Sequence, residues 1–475
     1  MPLPTTFAGV SAKGEGLFSS QKIGANYWIG YITDIYSNIN GIAVDSNKNI
    51  YALVDGGFPA KYGNLIKISP TGTVLWQKEI LNTIGSAGTP ARVVKVGALG
   101  NIYVLASDFN NGYGNVVYKF DSSGNLIWSY NIYYIYNLYG ASRPMMVLDS
   151  SENIYVTMED GGGSNSACYV MKITNNGARA TGGSGYSNYY FTAAYAPQGS
   201  VRGLFVDSSD NVYWTGSYCI NRTGSPRFGY VYSYSSFIHS FDSNFNFKNG
   251  DANTNNSAAY YGVAADSNGV VWSVTQGVLT SGNYGIIAAT PSGTQFSVKI
   301  WSTGQQTNQP SVSGQFTIDA LNKLYFYGIG EVLPSGGLVS QSGNLSKFNY
   351  SSGSLTYSWN NYFDASTTLG GSFGVAPIAD STNNLLYVVG STNSSGYSYP
   401  FIAVLPADGT HTGWTKTFSS ISTTISYSSN PSPTNPSSTT VGTSTAATGL
   451  RDVDNTASVY SSITTSSLSF SKQTV

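Results

Sequence analysis

Along most of this chain a short apolar run is followed by a polar turn and then by a second apolar run with an aromatic residue at a fixed place. The first copy reads Gly41-Ile-Ala-Val-Asp45-Ser-Asn-Lys-Asn49-Ile-Tyr51. Six more follow, each with an aromatic marker: Tyr103 after Val93–Asn101, Tyr155 after Asp149, Tyr213 after Asp207, Trp272 after Asp266, Tyr325 after Asp319 and Tyr387 after Asp380. The steps between markers are 52, 52, 58, 59, 53 and 62 residues. Asp and Asn favour turns because their side chains bond the local backbone, and the flanking Val, Ile and Tyr favour strands. Each copy therefore predicts a strand, a tight turn and a strand.

A second half-repeat follows each first half. It is clearest in Ile66-Lys-Ile-Ser-Pro-Thr-Gly72-Thr-Val-Leu-Trp76 and Tyr118-Lys-Phe-Asp-Ser-Ser-Gly124-Asn-Leu-Ile-Trp128, and the last copy runs from Val404 through Gly409 to Trp414. Four strands per unit, here a to d, repeated seven times, predict an all-β, seven-bladed β-propeller with extended N- and C-terminal arms, in which neighbouring sheets bury each other's faces. The blades are expected over residues 41–418, with an N-terminal arm at 1–40 and a Ser/Thr-rich C-terminal arm at 419–475. The pattern resembles the broad family of bacterial seven-bladed propeller repeats, including the NHL-like kind. That resemblance speaks to fold and hardly to function.

Composition narrows the function. Only 9% of the 475 residues are charged and the formal net charge is −1, while 37 tyrosines and 54 glycines are present. No basic stripe exists to neutralise a run of phosphates, so nucleic-acid binding is not expected. No apolar run has the length of a membrane span, so no membrane insertion is expected. The N-terminus shows no basic start followed by an apolar stretch, which predicts no secretory signal peptide. Cys168 and Cys219 fall on neighbouring blades; they could pair, but two thiols make no disulfide framework.

Chain direction sorts the connections. The a–b and c–d links are tight turns on one face, so the long b–c and d–a links share the other. Three long segments on that face are rich in Tyr and form the candidate binding surface: Tyr133, Tyr134, Tyr136 and Tyr139 before blade 3; Tyr186, Tyr189 and Tyr190 before blade 4; and Arg222, Arg227, Tyr230, Tyr232 and Tyr234 in the b–c loop of blade 4, from Tyr218 to Ser236. Long loops on a rigid scaffold commonly carry binding, and Tyr supplies stiff amphipathic contact area for sugars or proteins.

Catalytic patterns are not found. His239 and His411 have no His or Cys partner at metal-ligand spacing, so no zinc site is expected. No nucleophile elbow, Walker loop or dinucleotide fingerprint occurs. Asp45, Asp149, Glu152, Asp207, Asp210, Asp266, Asp319 and Asp380 belong to repeated turns, which gives them structural work, and their spacing lacks the EF-hand's distal Glu. The chain is read as a non-enzyme without cofactor or metal.

Tyr27–Asp34 reads as a strand that closes the ring on the last blade or packs on a partner. Ser419–Ala447 is expected to be extended or disordered on its own, with strands toward Phe470, and a neighbouring subunit is expected to order this arm by strand addition. Together these features resemble virion proteins of tailed bacteriophages. That resemblance implies a structural protein of the particle, serving in assembly, decoration or host attachment, with other virion proteins, self-assembly through the arms, and a host-surface glycan or protein as partners. The alternative is a secreted or surface-bound, lectin-like or adhesin propeller.

Overall fold

The computed structural model describes residues 18–22, 26–32, 38–55, 63–80, 91–108, 114–132, 145–160, 167–178, 180, 188–192, 200–225, 229–253, 259–276, 283–292, 295–306, 315–329, 343–351, 354–365, 375–394, 397–419, 423–429, 437–440, 450–452, 463–464 and 472–473. Among them there is no α-helix, and the strands form seven antiparallel sheets arranged as a seven-bladed β-propeller. Blade 1 is built from Asn38–Val44, Ile50–Asp55, Gly63–Ile68 and Val74–Ile80 in the order a-b-c-d. Blades 2 to 6 repeat this plan, starting at residues 91, 146, 200, 259 and 315.

Strand alternation explains the closure. In strand b of blade 1, Tyr51 and Leu53 face one way and Ile50, Ala52 and Val54 the other, and all five are buried. The first set packs with blade 2 (Val94, Ile102, Val104). The second set packs with blade 7 (Tyr387, Ile402, Val404). The described core divides into seven clusters, one for each interface between successive blades, the last joining blades 7 and 1. Both faces of each sheet are thus removed from water, which is why the strands read as nearly continuous apolar runs.

Blade 7 takes the N-terminal strand expected over Tyr27–Asp34 and departs from the half-repeat pattern only at Trp414. Its a, b and c strands are Ile378–Asp380, Leu385–Ser394 and Tyr397–Leu405, but its fourth strand is Trp28–Ile32 from the N-terminus, paired Trp28↔Val404 to Tyr31↔Phe401. Phe18–Lys22 adds a fifth strand outside it. The segment expected to supply strand d, Trp414–Phe418, instead pairs with Thr423–Ser429, which lies along the outer edge of blade 6. Trp414 carries the motif, but the N-terminal strand, with Trp28, Ile29, Tyr31 and Ile32 all buried, fills the place.

The C-terminal arm also differs. Strand addition is its mode, but the acceptor is its own ring. Thr423–Ser429 joins blade 6, with Thr423, Ile425 and Tyr427 buried. Ser437–Thr440 then pairs with blade 5, Leu450–Asp452 with blade 3, Ile463–Thr464 with blade 2 and Lys472–Gln473 with blade 1. An outermost strand carries unpaired N–H and C=O groups that seek a partner, and the arm supplies one within the same chain.

Candidate functional site

Each a–b link is a compact hairpin turn with one left-handed residue. In blade 1 the Lys48 N–H donates to the Asp45 carbonyl (2.9 Å) and Lys48 sits at φ 65°. The same position is Glu152 (59°), Asp210 (61°), Asn322 (58°) or glycine (Gly100, Gly269) in other blades. Asp45 organises the turn. Its Oδ1 accepts from the Asn49 N–H (2.9 Å), and its Oδ2 accepts from Asn49 Nδ2 (2.8 Å) and the Tyr51 hydroxyl (3.1 Å). Asp149/Asn153/Tyr155 and Asp207/Asn211/Tyr213 repeat this network. Burial and then the neighbouring carboxylate push these tyrosine hydroxyls up, so they keep their protons and donate.

Sequence reasoning missed that the left-handed residues reach across interfaces. Lys48 pairs with Asp380 of blade 7 at 2.5 Å. Asp210 accepts from the Ser150 N–H (2.8 Å) and hydroxyl (2.6 Å) of blade 3. Asn322 clasps Ser267 of blade 5. Glu152, 1% exposed, enters the turn of blade 2 and accepts from the Leu99 N–H (2.7 Å), Asn101 Nδ2 (2.8 Å) and the Tyr103 hydroxyl (2.8 Å). Blade 2 has Gly97 where its neighbours have the turn Asp, and a Cβ there would lie 2.0 Å from Glu152 Oε1. The carboxylate is supplied by the next blade. The signal was present in the sequence: a copy with the Asn and Tyr but no acid.

Lysines work in the opposite direction. Lys67, Lys119, Lys172 and Lys347 sit over the rings of Tyr51, Tyr103, Tyr155 and Tyr325 at 5.0 to 5.3 Å. Each ammonium donates to a carbonyl in the link that follows strand c of the next blade: Ser122, Asn175, Ser243 and Ala407. Burial lowers the Lys119 and Lys347 pKa values, and nearby carboxylates oppose the shift. The charged residues of the tight-turn face therefore fasten blade to blade.

The structure separates those of the candidate binding residues that it describes. Tyr189 and Tyr190 lie in strand d of blade 3 (Asn188–Thr192), not in a loop, opposite Asp452 and Arg451 of the C-terminal arm. The segment read as the b–c loop of blade 4 is a strand hairpin, Val212–Ser225 with Gly229–Phe241. Past Ser217↔Ser236 it runs beyond strands a and d as a two-stranded ribbon, with Cys219↔Tyr234, Arg222↔Tyr232 and Gly224↔Tyr230 in register. Cross-strand pairing wins here because alternating Tyr, Val and Ser suit a ladder. Tyr133, Tyr134, Tyr136, Tyr139, Tyr186 and Arg227 lie outside the described residues. Cys168 sits in strand c of blade 3 and Cys219 in the ribbon; their side chains lie outside the described residues.

His239 is fully buried in strand c of blade 4, stacked on Phe237 with ring centroids 5.0 Å apart, and burial holds its pKa down to about 3. An imidazole titrates near 6.5 in an unfolded chain. Its folded pKa is the lower one, so full stability belongs above about pH 6.5 and is lost as pH falls toward 3. At pH 4 this amounts to about 3 kcal/mol. Thermal melting from pH 7 to 4 checks it: the wild type is expected to lose stability steadily below pH 6.5, and His239→Leu to show a shallower slope. Equal slopes would rule out the imidazole as the cause.

The ring-closure seam also holds a cleft of about 230 Å³ on the tight-turn face. Asn26, Tyr27, Trp28, Lys48, Tyr387 and Asn383 contribute to its walls. Among the described residues no group of three or more His, Cys, Asp or Glu could hold a metal ion.

No family model matches this chain, and no curated protein matches it. Among solved structures it is similar to the polysaccharide lyase Uly1, at 10% identity and TM-score 0.45, covering 78% of this chain and 90% of that one. It is similar to a protein of unknown function from Dyadobacter fermentans, at 9% identity and TM-score 0.37, covering 82% and 97%. It is also similar to PorZ, a surface component of the type-IX secretion system of Porphyromonas gingivalis, at 9% identity and TM-score 0.30, covering 72% of this chain and 57% of that one.

Proposed function

We propose that this chain is a non-enzymatic virion protein of a tailed bacteriophage, a rigid propeller that contacts the host surface or other particle proteins through its long-connection face. The observation that carries the reading is the ribbon of blade 4, where Arg222, Tyr230, Tyr232 and Tyr234 project past the body of a fully packed blade. A paired ribbon on a packed sheet offers a backbone already ordered before binding. Two features support a working life outside a cell: low charge, with Gly, Ser, Thr and Asn in its place, and sheet edges covered by the chain's own terminal strands. The carboxylates and lysines of the turn face are occupied in fastening blades, which argues for a scaffold rather than an acid–base site.

The test bands particles from an induced lysate of the source bacterium on a density gradient and probes them with antibody against this chain. The chain is expected in the particle band. Its presence in the medium of intact cultures with none in the band would overturn the reading and favour a secreted lectin-like propeller. Replacing residues 218–235 by a two-residue turn is expected to abolish adherence of the purified protein to host cells while leaving the melting temperature within a few degrees.

A further inference from the structure

The seam cleft is set apart by one buried group. In blades 1, 3 and 4 the marker tyrosine lies six residues after the turn Asp and donates its proton to it. In blade 7 the turn is one residue longer, so Tyr387 lies seven after Asp380. Both acceptors are then diverted. Asp380 turns to Lys48 of blade 1, and Ser381, now six residues before Tyr387, donates to Asp319 of blade 6. The Tyr387 hydroxyl is left buried without a hydrogen-bond partner on a side chain only 1% exposed, and Tyr387 lines the cleft. Burial pushes its pKa up, so it remains a donor. A buried hydroxyl without an acceptor is costly, and a ligand that supplies one gains accordingly.

We infer that the cleft binds one neutral sugar ring. Its walls combine the half-buried ring of Tyr27 with the polar side chains of Asn26, Asn383 and Thr71, while Trp28, which also lines it, is only 2% exposed. The Tyr27 ring is steadied edge-on by His411 at 5.0 Å. Lys48 and Asp380 satisfy each other, so the cleft carries no net charge to attract an anion. Aromatic planes take the C–H face of a pyranose, while amides and hydroxyls meet its rim, a division of labour that suits a concave site with few polar anchors. The inference is independent of the virion reading, which uses the opposite face.

Saturation-transfer NMR on the full chain with D-glucose, D-galactose, D-mannose and N-acetylglucosamine, each at millimolar concentration, tests it. At least one sugar is expected to bind. Tyr27→Ala is expected to weaken that sugar about tenfold and Tyr387→Phe about fivefold. Neither substitution is expected to lower the melting temperature, since Tyr27 is half-buried at the rim and Phe keeps the packing of Tyr387. No binding by any of the four, affinity unchanged in both variants, or displacement of the sugar by inorganic phosphate would overturn the site. The density-gradient experiment is untouched by any of these results.

Discussion

A chain beginning at residue 33 is expected to melt about 10 °C or more below the full-length protein and to bind a hydrophobic dye in its folded state. Removing Trp28–Ile32 strips strand d from blade 7 and exposes the edge of Tyr397–Leu405. It also removes Trp28, Ile29, Tyr31 and Ile32 from the clusters on both sides of that blade. Each such side chain contributes about 2 kcal/mol by burial, so the group accounts for roughly 8 kcal/mol as an upper bound, comparable to the whole margin of a folded domain. The Trp28 indole also donates to the Pro70 carbonyl of blade 1 (2.8 Å), tying the seam from the other side. A synthetic peptide of residues 18–32 is expected to restore most of the loss when added in excess. Calorimetry checks both results, and a truncated chain that melts with the full-length one would show that closure does not depend on this strand.

The second large effect is a compensating pair. Glu152→Ala is expected to destabilise by about 3 to 5 kcal/mol, because it leaves the Leu99 N–H, the Asn101 amide and the Tyr103 hydroxyl without their shared acceptor at a buried site. Gly97→Asp alone is also expected to destabilise, since its Cβ would overlap the Glu152 carboxylate and a second negative charge would join the first. Gly97→Asp with Glu152→Asn rebuilds in blade 2 the local Asp of its neighbours, and Asn suits the left-handed position better than Glu does. The double variant is expected to be more stable than either Gly97→Asp or Glu152→Asn alone, so the two sites couple and their losses do not add. Additive losses in denaturant titrations would refute the shared-carboxylate account.

Both experiments address features that a reading of single repeats passes over. The seven turn-to-aromatic spacings were legible in the sequence, and they set blade number, strand order and the face on which the tight turns lie. The duty of Asp45 within its own turn was legible too, because an Asx bond closes over four residues. The reach of Glu152, Asp210 and Lys48 was not, because each bonds a turn roughly 50 residues or more away around the ring. Trp414 shows the same limit from the other side. It has the right motif at the right distance after Gly409, yet which strand occupies the outer place of blade 7 is a competition between two segments, and the N-terminal one brings more apolar surface. The Tyr-rich segments were read as loops because their composition suits turns as well as strands. In the ribbon of blade 4, cross-strand pairing decided the matter.

Local chemistry with a short reach was fixed by the order of residues: where strands begin, where turns fall, and that seven alike units must bury each other's faces. What the fold alone decided were the contacts whose partners are far apart along the chain, namely which of its two expected partners the N-terminal strand takes, the edges the C-terminal arm covers, the acid lent by one blade to the next, and the tyrosine at the seam left without an acceptor. Such contacts depend on which surfaces meet once the chain has paid the entropy of bringing them together, and that competition is settled in three dimensions.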